Sequence, residues 1–226
     1  MGALSAWAFG GLTQDVVGHD ETALLDPHVT AWVVAHRAEW LTSVMRAATW
    51  LGSAAVIVPT ALIVGLFFVL RRRRWRRLAL LAAAVTGAFG LYEIVKPVVG
   101  RPRPPSAIWI GHYSGAAFPS GHATQSVALY ATLAFVLGIG RSPGAKTVLW
   151  SSAAVVALVV GASRIYLGAH WMTDVLGGYA LGATWVAAVV IVALVTSPQG
   201  TSGADAAGER ASCGRRGNRR SERPDS

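Results

Sequence analysis

"LIVGLFFVLRRRRWRRLALLAAAV", residues 62 to 85, joins two apolar runs through seven residues, six of which are arginine. Six cations resist translocation, so under the positive-inside rule this loop stays on the cytoplasmic side and the runs beside it cross the membrane. The remaining chain supports that reading. Hydrophobic residues make up 53% and charged residues 14%, against about 25% charge in an average soluble domain. Between Trp40 and Asp205 the only acids are Glu93 and Asp174. Such a chain has no room for a soluble core of comparable size.

Working outward from the arginine loop, uncharged runs cover Ser53 to Leu70, Leu78 to Tyr92, His122 to Gly140, Thr147 to Ser163 and Val175 to Pro198. The second is short but extends toward Trp75 and Val95. A span needs roughly 20 residues, so the expectation is an all-α, polytopic helix bundle with five transmembrane helices. With residues 71–77 inside, alternation places Lys96 to Phe118 and Arg164 to Asp174 outside. It returns "RSPGAK" (141–146) and the tail arginines Arg215, Arg216, Arg219 and Arg220 to the inside. The net charge of +9 is accounted for by these flanking arginines and calls for no nucleic-acid partner.

Three segments are expected. Residues 1–52 hold a short apolar stretch at 1–12 and a helix over 27–52. Asp26 is read as its N-cap, with Pro27 at the first helical position. Val29, Val33, Trp40, Val44 and Leu51 then share one stripe, which suits a helix lying at the outer interface; a buried packing helix is the alternative. Residues 53–198 form the membrane domain. Residues 199–226, rich in Gly, Ser, Arg and acids, are expected to be a disordered cytoplasmic tail. Its Cys213 is the only cysteine and is read as an incidental thiol.

Three polar clusters interrupt the apolar pattern, and the topology puts all three on the outer face. They are "KPVVGRPRP" (96–104), "PSGH" (119–122) and "SRIYLGAHWMTD" (163–174). Lys96, Arg103 and Arg164 supply positive charge, and arginine matches phosphate oxygens with a planar fork. Ser120 and Gly121 stand where a helix begins, and its free N–H groups attract anions. His170 and Asp174 are four apart, so on a helix the carboxylate can orient the ring and activate it as nucleophile or base. His122 offers a second imidazole for general acid work. Taken singly, each cluster has a bland reading: a solvated loop, a hydrogen-bonded core histidine, an Asp174–Arg164 ion pair. Together they suit phosphoryl transfer through a phosphohistidine. A metal held by His122, His170 and Asp174 is the rival reading, disfavoured by the three cations close by.

These residues identify a family. The chain resembles the type-2 phosphatidic acid phosphatase superfamily of lipid phosphate phosphatases, whose signature is K-x6-R-P, then P-S-G-H, then S-R-x5-H-x3-D. Here it reads Lys96 to Arg103-Pro104, then Pro119 to His122, then Ser163-Arg164 to His170 and Asp174. The resemblance covers roughly residues 53–198 and implies the following roles. His170 is the nucleophile, Asp174 orients it, and His122 protonates the leaving oxygen. Lys96, Arg103, Ser120, Gly121 and Arg164 hold the phosphate, with no metal or other cofactor. The family's core also occurs in soluble vanadium haloperoxidases, a branch the spans here argue against. Implied substrates are phosphatidic acid, phosphatidylglycerol phosphate or polyprenyl diphosphates, with membrane lipids as surroundings and no obligate protein partner. The alternatives are a non-lipid phosphorylated substrate and a silent binder of anionic lipid. Membrane members usually have six spans; the first is reduced here to residues 1–12.

Overall fold

The arginine loop forms a tight turn between two long helices, α5 (Ala54–Arg72) and α6 (Trp75–Val99). Arg73 adopts the left-handed conformation at φ 48°. Its N–H reaches the Val69 carbonyl and that of Arg74 reaches Phe68, both at 3.0 Å. This paired pattern closes the C-terminus of α5. In the computed structural model, which describes residues 2–18 and 21–196, every other regular element is also helical. The elements are α1 (Gly2–Gly18), α2 (Glu21–Leu24), α3 (Asp26–Ala35), α4 (Glu39–Trp50), α5, α6, α7 (Gly121–Gly138), α8 (Pro143–Tyr166) and α9 (Met172–Val195), with one 3-10 turn at Ser106–Ile108. The expected basic tail and Cys213 lie outside the described residues.

Four helices, α5, α6, α8 and α9, are long and apolar enough to cross a membrane by length and composition. The remaining expected span, α7, is the most enclosed. It packs against both α6 and α8 and buries Thr124, Gln125, Ser126 and Thr132 along with its apolar residues. Its inward polar side chains lower its hydropathy; Gln125 bonds to a neighbouring helix, while Thr124 and Ser126 bond to the backbone at the start of α7. Gln125 Nε2 donates to the Val85 carbonyl at 3.1 Å, and Thr124 Oγ1 to that of Ser120 at 3.0 Å. The core beside α7 joins Ile57, Leu81, Val85 and Leu129 on one side and Ala88, Ala128 and Val186 on the other.

α9 lies against α7 through Gly178 and Gly182. A Cβ at Gly178 would stand 2.7 Å from the Ser120 carbonyl oxygen, and one at Gly182 2.8 Å from that of Thr124. Small residues four apart let two helix backbones approach this closely.

The N-terminal segment departs from the sequence expectation in two ways. The helix over 27–52 is two helices, broken at residues 36–38. There Arg37 turns inward and donates to the carbonyls of Tyr166 (3.0 and 2.6 Å) and Ile108 (2.8 Å). Satisfying those carbonyls outweighs continuing the helix. Asp26 does not cap α3 either; it is the first helical residue, and the N-cap position, Leu25, makes no side-chain cap bond. The stripe of Trp40, Val44 and Leu51 is exposed, so α4 turns apolar side chains away from the bundle while resting on α8. The short apolar stretch at the start belongs to a longer helix, α1, whose Phe9 stacks on Phe118 at 6.0 Å.

Candidate active site

Alternation brings the end of α6, the start of α7, the end of α8 and the start of α9 to one end of the bundle. Lys96, Arg103, Gly121, His122, Arg164 and His170 all line a single cavity there of about 440 Å³. The three polar clusters therefore meet, as the topology argument required. The cavity continues between α5 and α6, where Ile57, Val58, Val85 and Phe89 line it. It is cationic at one end and apolar along the other.

His170 precedes α9 and lies in the turn that follows α8, a correction to the expectation that it shares a helix with Asp174. The four-residue spacing still works, because Asp174 sits in the first turn of α9 and its carboxylate reaches back. Asp174 Oδ2 accepts from the Trp171 amide at 2.9 Å and stands 3.4 Å from His170 Nδ1. That last contact is longer than a good hydrogen bond. On the other side of the ring, Arg103 Nη1 donates to His170 Nε2 at 3.3 Å. A guanidinium can only donate, so this contact makes Nε2 the acceptor and assigns the ring proton to Nδ1, facing Asp174. The Nε2 lone pair thus lies beside the cations. Burial pushes the His170 imidazole down to about 4, against the opposing pull of Asp174. It is a neutral base at ordinary pH.

The other expected residues fall into distinct positions. Arg103 spends most of its donors on carbonyls of the 101–120 loop and beyond, including Gly115 at 3.0 Å and Ala169 at 2.6 Å. It pins that loop over the site and presents charge to the cavity. Arg164 donates to Thr49 Oγ1 at 2.9 Å, while its buried Nε has no partner. Asp174 does not pair with Arg164. Lys96 rests over the Tyr92 ring at 5.5 Å. Ser120 and Asp174 are fully buried behind the cavity. Ser120 occupies the N-cap position of α7 without a side-chain cap bond, and its Oγ is unpartnered. Its amide donates to the Asp174 carbonyl at 2.9 Å, which couples the start of α7 to α9.

Two contributors were not singled out from sequence. Tyr113, in the loop between the first two clusters, places its ring 5.0 Å from the Arg164 guanidinium and 5.9 Å from that of Arg103. Cations over an aromatic face are held there electrostatically. Arg101, noted only as part of the first cluster, bridges Asp174 and Asp26.

Comparison with known proteins identifies the family. The profile of the PAP2 superfamily matches residues 77–196. Phosphatidylglycerophosphatase B of Bacillus subtilis is 34% identical over 160 residues, which is 70% of this chain and 77% of that protein. Decaprenylphosphoryl-5-phosphoribose phosphatase of Mycobacterium tuberculosis is 38% identical over 126 residues, 53% of this chain and 61% of that one. The crystal structure of a transmembrane PAP2 type phosphatidylglycerolphosphate phosphatase from Bacillus subtilis superposes with a TM-score of 0.81 at 28% identity. The superposition covers 88% of this chain and 98% of that one. The chain belongs to the PAP2 superfamily, as a membrane-embedded, multi-pass phosphatase.

Proposed function

We propose that the chain removes phosphate from a membrane lipid, a monoester or diphosphate, through a phosphohistidine on His170. The observation that carries this is the single cavity that His170 lines together with Lys96, Arg103 and Arg164 and that runs on between α5 and α6, where apolar residues line it. The cations suit a phosphate and the groove suits an acyl or prenyl chain. Among such lipids the similarity to phosphatidylglycerol phosphate phosphatases favours that substrate, with phosphatidic acid and polyprenyl diphosphates next.

In this reading the His170 Nε2 lone pair forms the N–P bond as the bond from phosphorus to the lipid oxygen breaks. His122 donates a proton to the departing oxygen. Asp174 faces Nδ1–H and balances the positive charge that the ring acquires. Water then attacks the phosphohistidine, His122 takes the proton from that water, and inorganic phosphate departs from a regenerated imidazole. Lys96, Arg103, Arg164 and the amide of Gly121 balance charge on the equatorial oxygens. The bound phosphate supplies the negative charge beside which His122 carries its proton. Divalent metal has no place in this scheme, because the three cations occupy the surroundings that a cation would need empty. The site is assigned to the outer face of the plasma membrane and the basic tail to the cytoplasm, on the strength of the arginine turn.

Trapping the phosphoenzyme with radiolabelled lipid, in detergent with EDTA, tests the roles. His170→Ala is expected to abolish labelling. His122→Ala should still label, about 10²–10⁴-fold more slowly, the usual share of general acid catalysis. Equal loss of labelling in both variants overturns the assignment of nucleophile and acid.

A further inference from the structure

Asp26 lies outside the 77–196 stretch that matches the family profile, and sequence gives it a routine role at a helix start. The structure uses it otherwise. Its side chain is 1% exposed and reaches the N-terminus of α9. One carboxylate oxygen accepts from the Thr173 amide at 3.0 Å. The other accepts from the Thr173 hydroxyl and from Arg101 Nη2 at 2.7 Å. Arg101 Nη1 donates onward to Thr173 Oγ1 and to Asp174 Oδ1, both at 2.6 Å. The Trp171 ring lies 5.8 Å from the same guanidinium. One guanidinium is therefore shared by two buried carboxylates, and the second of them is the one that faces His170.

We infer that Asp26 is a positioning residue for the reaction: by sharing Arg101 with Asp174, it leaves Asp174 with negative charge to spend on His170. The inference rests on His170 being the nucleophile. With Asp26 present, the trio of two carboxylates and one guanidinium carries a net charge of −1. With Asp26 neutral, Arg101 belongs to Asp174 alone and their charges cancel. The imidazole that turns cationic as the N–P bond forms then loses its support. Side-chain charges facing that ring from other elements, Arg103 from the loop and Arg164 from α8, are all positive, so no other side chain compensates on the Nδ1 side. Asp26 touches neither substrate nor His170; it acts through Arg101 and Asp174.

The test is the rate constant for phosphoenzyme formation in a single turnover, read separately from its amplitude. A merely structural defect lowers the amplitude, the fraction of active protein, and leaves the rate constant alone. Asp26→Asn keeps the shape and an acceptor for the Thr173 amide but removes the charge. It is expected to lower the rate constant roughly tenfold, the effect of about one pKa unit of lost charge support. Asp26→Glu, which restores the charge, should recover part of it. Thr173→Val removes the hydroxyl between Asp26 and Arg101 and leaves both charges. It should slow the step in the same direction by less, and it serves as the test if Asp26→Asn does not fold. Wild-type rate constants in the folded variants overturn the inference while leaving His170 as nucleophile. A wild-type enzyme that forms no phosphoenzyme overturns the nucleophile and the role of Asp26 together.

Discussion

Replacing Gly178 by alanine should separate two helices that the chemistry needs joined. The added Cβ would lie 2.7 Å from the Ser120 carbonyl oxygen and 2.9 Å from the Ala123 Cβ. A carbon approaches a carbonyl oxygen comfortably at about 3.3 Å, so α9 must retreat from α7 by about 0.6 Å. Neither neighbour is a flexible chain end, so the backbone must give. Overpacking of this kind costs about 1–3 kcal/mol, and each kcal/mol lowers Tm by about 2–4 °C at this chain length. The same retreat strains the Ser120 amide bond to the Asp174 carbonyl, which ties the helix of His122 to that of Asp174. A misplacement near 1 Å can cost about 10²-fold in rate, so kcat should fall by about tenfold or more. Gly182→Ala is the comparison. Its Cβ meets the Thr124 carbonyl at 2.8 Å and Val127 at 3.0 Å, an equal conflict one turn farther from the site. Its Tm should drop similarly and its kcat much less. Gly10→Ala, with nothing within 4 Å, should match wild type. Thermal melts in detergent and phosphate release from a lipid substrate report both quantities. A Gly178→Ala enzyme with unchanged Tm and kcat refutes the close approach. Equal loss of kcat in both helix variants refutes the coupling.

Three further outcomes are expected. In the proposed mechanism the neutral imidazole of His170 is the reactive form, and burial holds its value at about 4. With substrate ionisation divided out, the acid limb of kcat/KM should therefore fall through about pH 4, not near the ordinary histidine value. Asp174→Asn, which removes the group that raises that value, should move the limb lower still as the rate drops. Val58→Trp, which narrows the groove between α5 and α6, should raise KM for a long-chain lipid phosphate about tenfold, the worth of roughly two methylenes. KM for a small soluble phosphate ester should stay unchanged; a parallel rise in both would mean that the groove does not hold the chain. With Cys213 replaced, a cysteine at Gly111 should react with an impermeant thiol reagent in intact cells and one at Gly144 only after permeabilisation; the reverse pattern would move the site to the cytoplasmic leaflet.

Sequence displayed the bundle because its drivers are local. Uncharged runs of helical length and a block of arginines state spans and turns without reference to the rest of the chain. The site was legible for a related reason: Lys96, Arg103, His122, Arg164 and His170 are polar groups in apolar surroundings, and alternation alone sends them to one end. What stayed hidden depends on where side chains point after helices meet. Asp26 followed by proline looks like a cap, and only the approach of Thr173 and Arg101 shows the carboxylate facing the other way. The break at Arg37 has no glycine or proline to announce it; two distant carbonyls supply the reason. Gly178 and Gly182 sit among many other glycines, and their contact with α7 appears only when both helices are in place.

The sharing of Arg101 between two carboxylates also bears on how the protein is made. Chains emerge and fold from the N-terminus onward, so Asp26 and Arg101 are available long before the last helix. Until α9 enters, the guanidinium has one carboxylate and His170 has none. On the proposed mechanism, α9 therefore completes the ion cluster and gives the nucleophile its carboxylate in the same event. On the same mechanism, a chain that stalls or is cut before Met172 keeps Lys96, Arg103 and Arg164 but lacks the carboxylate that faces His170. In that reading, activity in the membrane reports the complete insertion of α9.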